Sequence, residues 1–332
     1  MKVAVVGAGA IGGLVGARLA LAGEAVTFIA RGANLKAIRE HGIRLIEMDG
    51  REQLAPAHAT DDCAQAGPQD LVILAVKAHQ VDALADQVPL LFGPHTPVVT
   101  MQNGIPYWYF HGHGGALQGT TLHSVDPGGR IAQRIPPERV IGCVVYPAAD
   151  LLAPGVIRHT EGDRFPVGEL DGSATARVRH VSESFERAGF RAPVLADIRA
   201  EIWLKLWGNL TFNPISALAH ATLVDICQFG PTRELAAAMM SEAQEVANRL
   251  GIGFRVTIDK RIAGAEKVGA HKTSMLQDVE AGRAPEIDAL VGSVVELGRL
   301  TGVATPRIEA VYALVQLLAR SMATGRGGIA LR

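Results

Sequence analysis

The chain has 332 residues, enough for two domains of ordinary size with a substantial interior. It is 48% hydrophobic with only 5% aromatic residues and carries a formal charge of -1, so an interior of alanine, valine and leucine is expected, with neither a nucleic acid nor an anionic membrane as partner. No stretch of about 18 apolar residues lacks charge, which argues against a membrane span, and Cys63, Cys143 and Cys227 are widely spaced in no metal-ligand pattern, reading as buried small side chains in a reducing cytoplasm.

The first 31 residues run as strand, glycine loop, helix, strand and arginine. Val3 to Val6 reads as a buried parallel strand, and Leu14 to Leu21 as a helix with only Arg18 charged. Between them lies Gly7-Ala8-Gly9-Ala10-Ile11-Gly12, in which Gly7 allows the tight turn, Gly9 lets the backbone approach a pyrophosphate and Gly12 lets the helix pack on the sheet. The helix starting near Ala10 then turns its unpaired N–H groups and positive dipole end toward phosphate. A secretory signal is the rival reading of this segment, and Arg18 and Glu24 interrupt the apolar run it would need. The second strand ends in Ala30-Arg31-Gly32, where an NAD protein usually carries Asp or Glu for the ribose hydroxyls. A guanidinium there suits a 2'-phosphate and predicts NADP(H), the alternative being an ordinary solvated arginine.

Leu71 to Val76, Pro97 to Met101, Val140 to Val145, Val156 to Thr160 and Phe165 to Gly168 read as further strands continuing an open α/β sheet. A helical pattern over 174–188 and an extended Ala192 to Leu195 close this part. The expected architecture is a Rossmann-type doubly wound α/β domain over 1–196, followed by an all-helical domain over 197–332. Its helices are expected at 197–220, 231–250, 255–270, 274–281, 285–301 and 306–323, with a frayed tail from Gly325 to Arg332.

Within the first of these helices, Glu201, Lys205, Asn209, Asn213 and Ser216 fall on one stripe, opposite Trp203, Leu206, Trp207 and Leu210. An exposed face with a Glu201–Lys205 pair would explain the stripe simply. Asparagine is a poor helix former, however, and Asn213 precedes Pro214, a position biased away from helix. Tolerance of those costs points to a site.

With those residues in place, the chain resembles the ketopantoate reductase (2-dehydropantoate 2-reductase) family over nearly its whole length. The matching elements are the Gly7 to Gly12 loop, Val76-Lys77, Gln102-Asn103-Gly104, the Lys205/Asn209/Asn213-Pro214 helix, and Ser274-Met-Leu-Gln-Asp278 with Glu286-Ile-Asp288 downstream. The resemblance implies a two-domain NADPH enzyme reducing the ketone of 2-dehydropantoate to (R)-pantoate for pantothenate synthesis. It implies Lys205 as the catalytic lysine, Asn209, Asn213 and Ser274 around the substrate, and Asn103 against both cofactor and substrate. It also implies Lys77 near the cofactor's ribose, Glu286 near the nicotinamide, and a loop after Tyr146, including Ala148, that closes over the cofactor.

The residue types suit the chemistry. Hydride addition to a ketone carbon builds negative charge on oxygen, and a lysine charged at neutral pH supplies both a fixed positive charge and a proton. Simpler explanations exist for several members: Ser274 with Gln277 forms a capping box, Glu286 after Pro285 fits a first helical turn, Lys77 ends a strand, and Asn103-Gly104 is a turn dipeptide. No complete metal set is formed by His123, His159 or the His111/His113 pair. The stretches Trp108 to His113 and Asp126 to Arg130 are larger than the family pattern, and Thr222 to Asp225 occupies the region of a further family asparagine. The partner expected is a small-molecule 2-oxo acid, the oligomeric state is open with a homodimer as one arrangement, and the location is cytoplasmic. Two alternatives stand beside this: a reductase of another 2-oxo or 3-hydroxy acid, and an NADP-binding redox sensor without turnover.

Overall fold

A computed structural model describes residues 1–325, so the expected frayed tail beyond Gly325 lies outside the described residues. The chain divides into two compact units: Met1–Gln102 with Tyr107–Thr121 and Gly128–Ile198, and Asn103–Pro106 with Leu122–Pro127 and the chain from Arg199 onward. Among the described residues no helix is long and apolar enough to cross a membrane.

The strands of the first unit are β1 (Lys2–Val6), β2 (Ala25–Ile29), β3 (Ile43–Ile46), β4 (Glu52–Ala55), β5 (His58–Thr60), β6 (Leu71–Leu74), β7 (Val98–Thr100), β8 (Val140–Cys143), β9 (Ala148–Ala153), β10 (Val156–Glu161) and β11 (Val167–Gly168). Its helices are α1 (Ala10–Leu21), α2 (Gly32–His41), α3 (Cys63–Ala66), α4 (Arg130–Arg134) and α5 (Ala176–Arg187). A seven-stranded sheet runs β11-β8-β7-β6-β1-β2-β5, parallel throughout except for β11. Val3 and Val5 of β1 enter one core with Leu14, Leu19 and Phe185, while Ala4 and Val6 enter another with Cys63, Leu91 and Ile131. A strand apolar on both faces needs cover on both, which is why β1 reads as an unbroken hydrophobic run.

One strand expectation is corrected. Residues 156–160 do not continue this sheet; β10 joins a separate four-stranded sheet, β4-β3-β10-β9. Its pattern gives the reason: Ile157 and His159 are buried while Arg158 and Thr160 are exposed, so β10 has one covered face. That face lies on α1, where Gly13 leaves room for Ile157, and on its other side Gly16 leaves room for Phe28 of β2. Helix α1 is thus enclosed by two sheets, which accounts for its nearly uncharged sequence.

The second unit contains α6 (Ile198–Ala219), α7 (Leu223–Gln228), α8 (Gly230–Arg249), α9 (Ile258–Val268), α10 (Ser274–Glu280), α11 (Ser293–Thr301) and α12 (Pro306–Ala323). Helix α6 buries Trp203, Leu206, Trp207 and Leu210; Trp207 stacks on Phe254 at 4.1 Å between centroids and donates from Nε1 to the Met240 carbonyl at 2.8 Å. Pro214 lies inside α6 without ending it. Helix α7, which falls between the helices expected at 197–220 and 231–250, forms behind a reciprocal cap in which Thr222 N and Oγ1 donate to Asp225 Oδ2 at 2.9 and 2.6 Å. The helix expected from 285 begins later, with a π turn over Asp288–Gly292 leading into α11. The two short segments from earlier in the chain are tied on there: Ile105 N donates to the Ala289 carbonyl at 2.9 Å, and His123 N and Ser124 N donate to the Glu296 carboxylate, each at 2.8 Å.

Candidate active site

In the first unit β1 ends in a turn that only glycine accommodates at its start. Gly7 has φ +103°, its N–H reaches the Ile29 carbonyl at 3.0 Å, and a side chain there would overlap Val76. A Cβ at Gly12 would overlap the Gly7 carbonyl. Gly9 is different: its φ of -75° is ordinary and nothing lies within 4 Å of where its Cβ would stand. Backbone and packing both permit a side chain at Gly9, so the space is free for a ligand. Because Gly13 N makes the first intrahelical bond, to Gly9 O at 2.7 Å, the N–H groups of Ala10, Ile11 and Gly12 have no intrahelical acceptor.

A cavity of about 360 Å³ opens beside this turn, lined by Gly7, Ala8 and Gly9, by Ile29 to Arg31 and Asn34, and across from them by Val76, His79, Gln80, Ala83 and Leu84. Asn34 braces the loop, donating from Nδ2 to the Ala8 carbonyl at 2.9 Å and accepting at Oδ1 from Gly155 N at 3.0 Å. Gln102 ties the ends of neighbouring strands, donating to the Leu74 and Val76 carbonyls at 2.8 and 2.9 Å. Arg31 is the exposed residue preceding α2, and among the described residues no carboxylate lines the cavity. Burial pushes the neighbouring Cys63 thiol up to about 11, Asp62 adding to the effect and Arg31 opposing it, so this cysteine is an inert filler. An open glycine, unpaired helix N–H groups and an arginine with no acidic neighbour in the lining fit the phosphates of a dinucleotide.

Lys77 is half-buried between Val76 and the lining residues His79 and Gln80, and its N–H donates to Gln80 Oε1 at 3.1 Å. Ala148 is a correction. Rather than sitting in a loop, it opens β9 and pairs with Glu161 in the second sheet.

In the second unit, Lys205 is half-buried on α6 and donates from Nζ to Asn103 Oδ1 at 2.7 Å. Asn209 is half-buried, Asn213 is only 6% exposed, and Ser274 is exposed at the first position of α10. Among the described residues none of these three side chains has a hydrogen-bond partner. Their polar atoms are not sealed in the core, so these donors and acceptors remain open to a polar ligand. Ser216, the last member of the stripe, instead donates to the Ala221 carbonyl at 2.6 Å and closes the helix end.

Two simple explanations are overturned here. Thr273, not Ser274, caps α10, accepting at Oγ1 from Leu276 N at 3.3 Å, so the Ser274–Gln277 box does not form. Glu286 does not lie in a first helical turn; it is half-buried in non-helical chain ahead of the π turn that begins at Asp288. Several lining residues went unnoticed in the sequence, notably Asn34, His79 and Gln80, since polar residues early in helices carry no mark of their own. The enlarged stretch at Trp108 is core, with Trp108, Tyr109 and Phe110 buried and Trp108 Nε1 donating to Thr100 Oγ1 at 3.0 Å.

Comparison with known proteins places the whole chain in one family. The model described as ketopantoate reductase PanE/ApbA matches residues 3–172, and the one for the C-terminal part of the same family matches 197–319. The 2-dehydropantoate 2-reductase of Mesorhizobium japonicum is 56% identical over 320 residues, covering 96% of this chain and 98% of that protein. Among solved structures, one from Ralstonia solanacearum MolK2, provisionally named a ketopantoate reductase, is 44% identical with a TM-score of 0.92, over 98% of this chain and 99% of that one. The 2-dehydropantoate 2-reductase of Geobacter metallireducens GS-15 is 27% identical with a TM-score of 0.83, over 96% and 99% of the two chains. The chain belongs to the ketopantoate reductase family.

Proposed function

We propose that the protein reduces the ketone of 2-dehydropantoate to the alcohol of (R)-pantoate with NADPH, a step of pantothenate synthesis. The observation that carries this reading is the Lys205 ammonium held at 2.7 Å by Asn103 on the same helix stripe as the partnerless amides of Asn209 and Asn213. It is supported by 56% identity to a 2-dehydropantoate 2-reductase along nearly the full chain.

NADPH, when bound, supplies the hydride that enters the ketone carbon. The glycine loop at Gly7, Ala8, Gly9, Ala10, Ile11 and Gly12 would hold its pyrophosphate against the start of α1, and Arg31 would take the 2'-phosphate through paired charge-assisted bonds. Lys77, at the carboxyl edge of the sheet, would face the ribose. On the substrate, Lys205 stabilises the charge that develops on the carbonyl oxygen and gives that oxygen its proton, and solvent restores the ammonium. Asn103 accepts one N–H of Lys205 and so orients the others. Asn209, Asn213 and Ser274 would donate to the substrate's carboxylate and hydroxyl without competing for the transferred proton.

NADPH oxidation measured against a panel of branched 2-oxo acids tests the substrate. A kcat/KM at least tenfold higher for 2-dehydropantoate than for 2-oxoisovalerate, which lacks the hydroxymethyl group, is expected if the site's donors read that hydroxyl, because an unmet polar group costs about 1–3 kcal/mol. Equal values for the two acids would sink the substrate assignment.

A further inference from the structure

The π turn at Asp288–Gly292 has no part in the chemistry above, and its hydrogen bonding is unusual. Ser293 N bonds to the Asp288 carbonyl, five residues back, rather than to Ala289 as in an α-helix. The freed Ala289 carbonyl instead accepts from Ser293 Oγ at 2.7 Å and from Ile105 N at 2.9 Å. Gly104 makes that approach possible: its φ is +91°, and a Cβ on it would overlap the Ala289 carbonyl. The residue before it is Asn103, whose Oδ1 holds the Lys205 ammonium.

Both ends of the π turn rest on one side chain. Tyr312 of α12 donates from its hydroxyl to Asp288 Oδ1 at 2.6 Å, and Gly292 leaves room for the same hydroxyl, which would stand 2.6 Å from a Cβ there. An isolated π turn costs regular helix geometry and recurs where a function needs it.

We propose that the π turn braced by Tyr312 is a positioning device for the Asn103–Lys205 pair: it frees the Ala289 carbonyl, which anchors Gly104-Ile105 and so sets where Asn103 holds the lysine. Tyr312, Gly292 and Ser293 are positioning residues that act through this anchor. The inference rests on the reading of Lys205 as proton donor, and the displacement at stake is small, since about 1 Å at a reacting group costs on the order of a hundredfold in rate.

A double-mutant cycle on the full-length protein tests it. Gly292→Ala, which drives the Tyr312 hydroxyl off the turn, is expected to lower kcat about tenfold or more with KM for NADPH unchanged. Asn103→Ala is expected to lower kcat as well, and adding Gly292→Ala to it should cost less than about twofold more, because the brace then has nothing left to position. Tyr312→Phe, which keeps the ring and removes one hydrogen bond, repeats the cycle with a smaller loss should Gly292→Ala fail to fold. Losses that multiply in the double variants, or wild-type kcat in folded Gly292→Ala, would overturn the proposal. Lys205→Ala separates the two levels: an undiminished rate there refutes the functional reading itself, whereas a lost rate there with multiplying losses in the cycle refutes only the positioning role.

Discussion

Arg31 and Lys205 carry separate consequences at the level of single side chains. Arg31→Ala removes the cation at the end of β2 from a cavity whose described lining has no carboxylate. A charge-assisted bond of about 1.5–3 kcal/mol then predicts NADPH affinity falling roughly ten- to a hundredfold with NADH affinity unchanged, read by fluorescence titration. Equal losses for both cofactors would return Arg31 to an ordinary surface charge. Lys205→Ala is expected to reduce kcat by about a hundredfold or more while NADPH binds as before, which single-turnover kinetics resolves. The stripe of Lys205, Asn209 and Asn213 was legible because helical periodicity is local and amides there are propensity errors. The partner of Lys205 was not: Asn103 lies 102 residues away, a distance no periodicity spans. The capping alternative for Ser274 fails for a smaller reason. Thr273 and Ser274 are both good caps, and backbone dihedrals rather than composition choose between them.

Among the elements, α1 is where the sequence was read well on one side and poorly on the other. Its glycine loop and contact with the parallel sheet follow from pattern, but the second sheet does not, because β3 and β4 have only four residues each and β4 and β9 are largely polar or exposed. That sheet is fastened to α1 by charge. Arg18 donates to Glu47 at 3.1 and 2.5 Å, and Nδ1 of the buried His159 lies 3.0 Å from the Arg18 guanidinium, while its Nε2 donates to the Gly162 carbonyl at 2.5 Å. Burial alone would push Glu47 up, but the bonds and charge of Arg18, with His159, hold it below its ordinary value of 4.5. A depressed folded-state pKa contributes stability above the unfolded value that fades as pH falls through the folded one. Glu47→Gln is therefore expected to lower stability by roughly 3 kcal/mol at pH 7, the cost of stranding a buried charge. The difference from wild type should narrow in thermal melts below about pH 4. A gap that stays constant to pH 3 would mean that Glu47 acts by packing rather than by its charge.

Across the molecule, cofactor binding and folding are linked. At a free NADPH concentration one hundred times Kd, the folded protein gains about 2.7 kcal/mol, visible as a raised Tm in scanning fluorimetry. The accompanying loss of hydrogen exchange should gather at residues 7–12 and 29–34. Protection that left those segments unchanged would contradict the assigned cofactor loop. The change from alternating strands and helices to helices alone near residue 197 was evident from periodicity. The membership of Asn103–Pro106 and Leu122–Pro127 in the second unit was not, since it depends on hydrogen bonds to Ala289 and Glu296. During synthesis this splitting imposes a timetable. His123 leaves the ribosome 173 residues ahead of the carboxylate that receives its N–H, a delay on the order of ten seconds or more at roughly 5–20 residues per second. Helices α6 to α10 can therefore collapse before the pieces that bear on Lys205 have their anchors. A single cut at the start of α6 would accordingly yield a fragment missing Asn103, so Lys205 with its partner is not a portable module but an arrangement the chain completes only once residue 289 has been made.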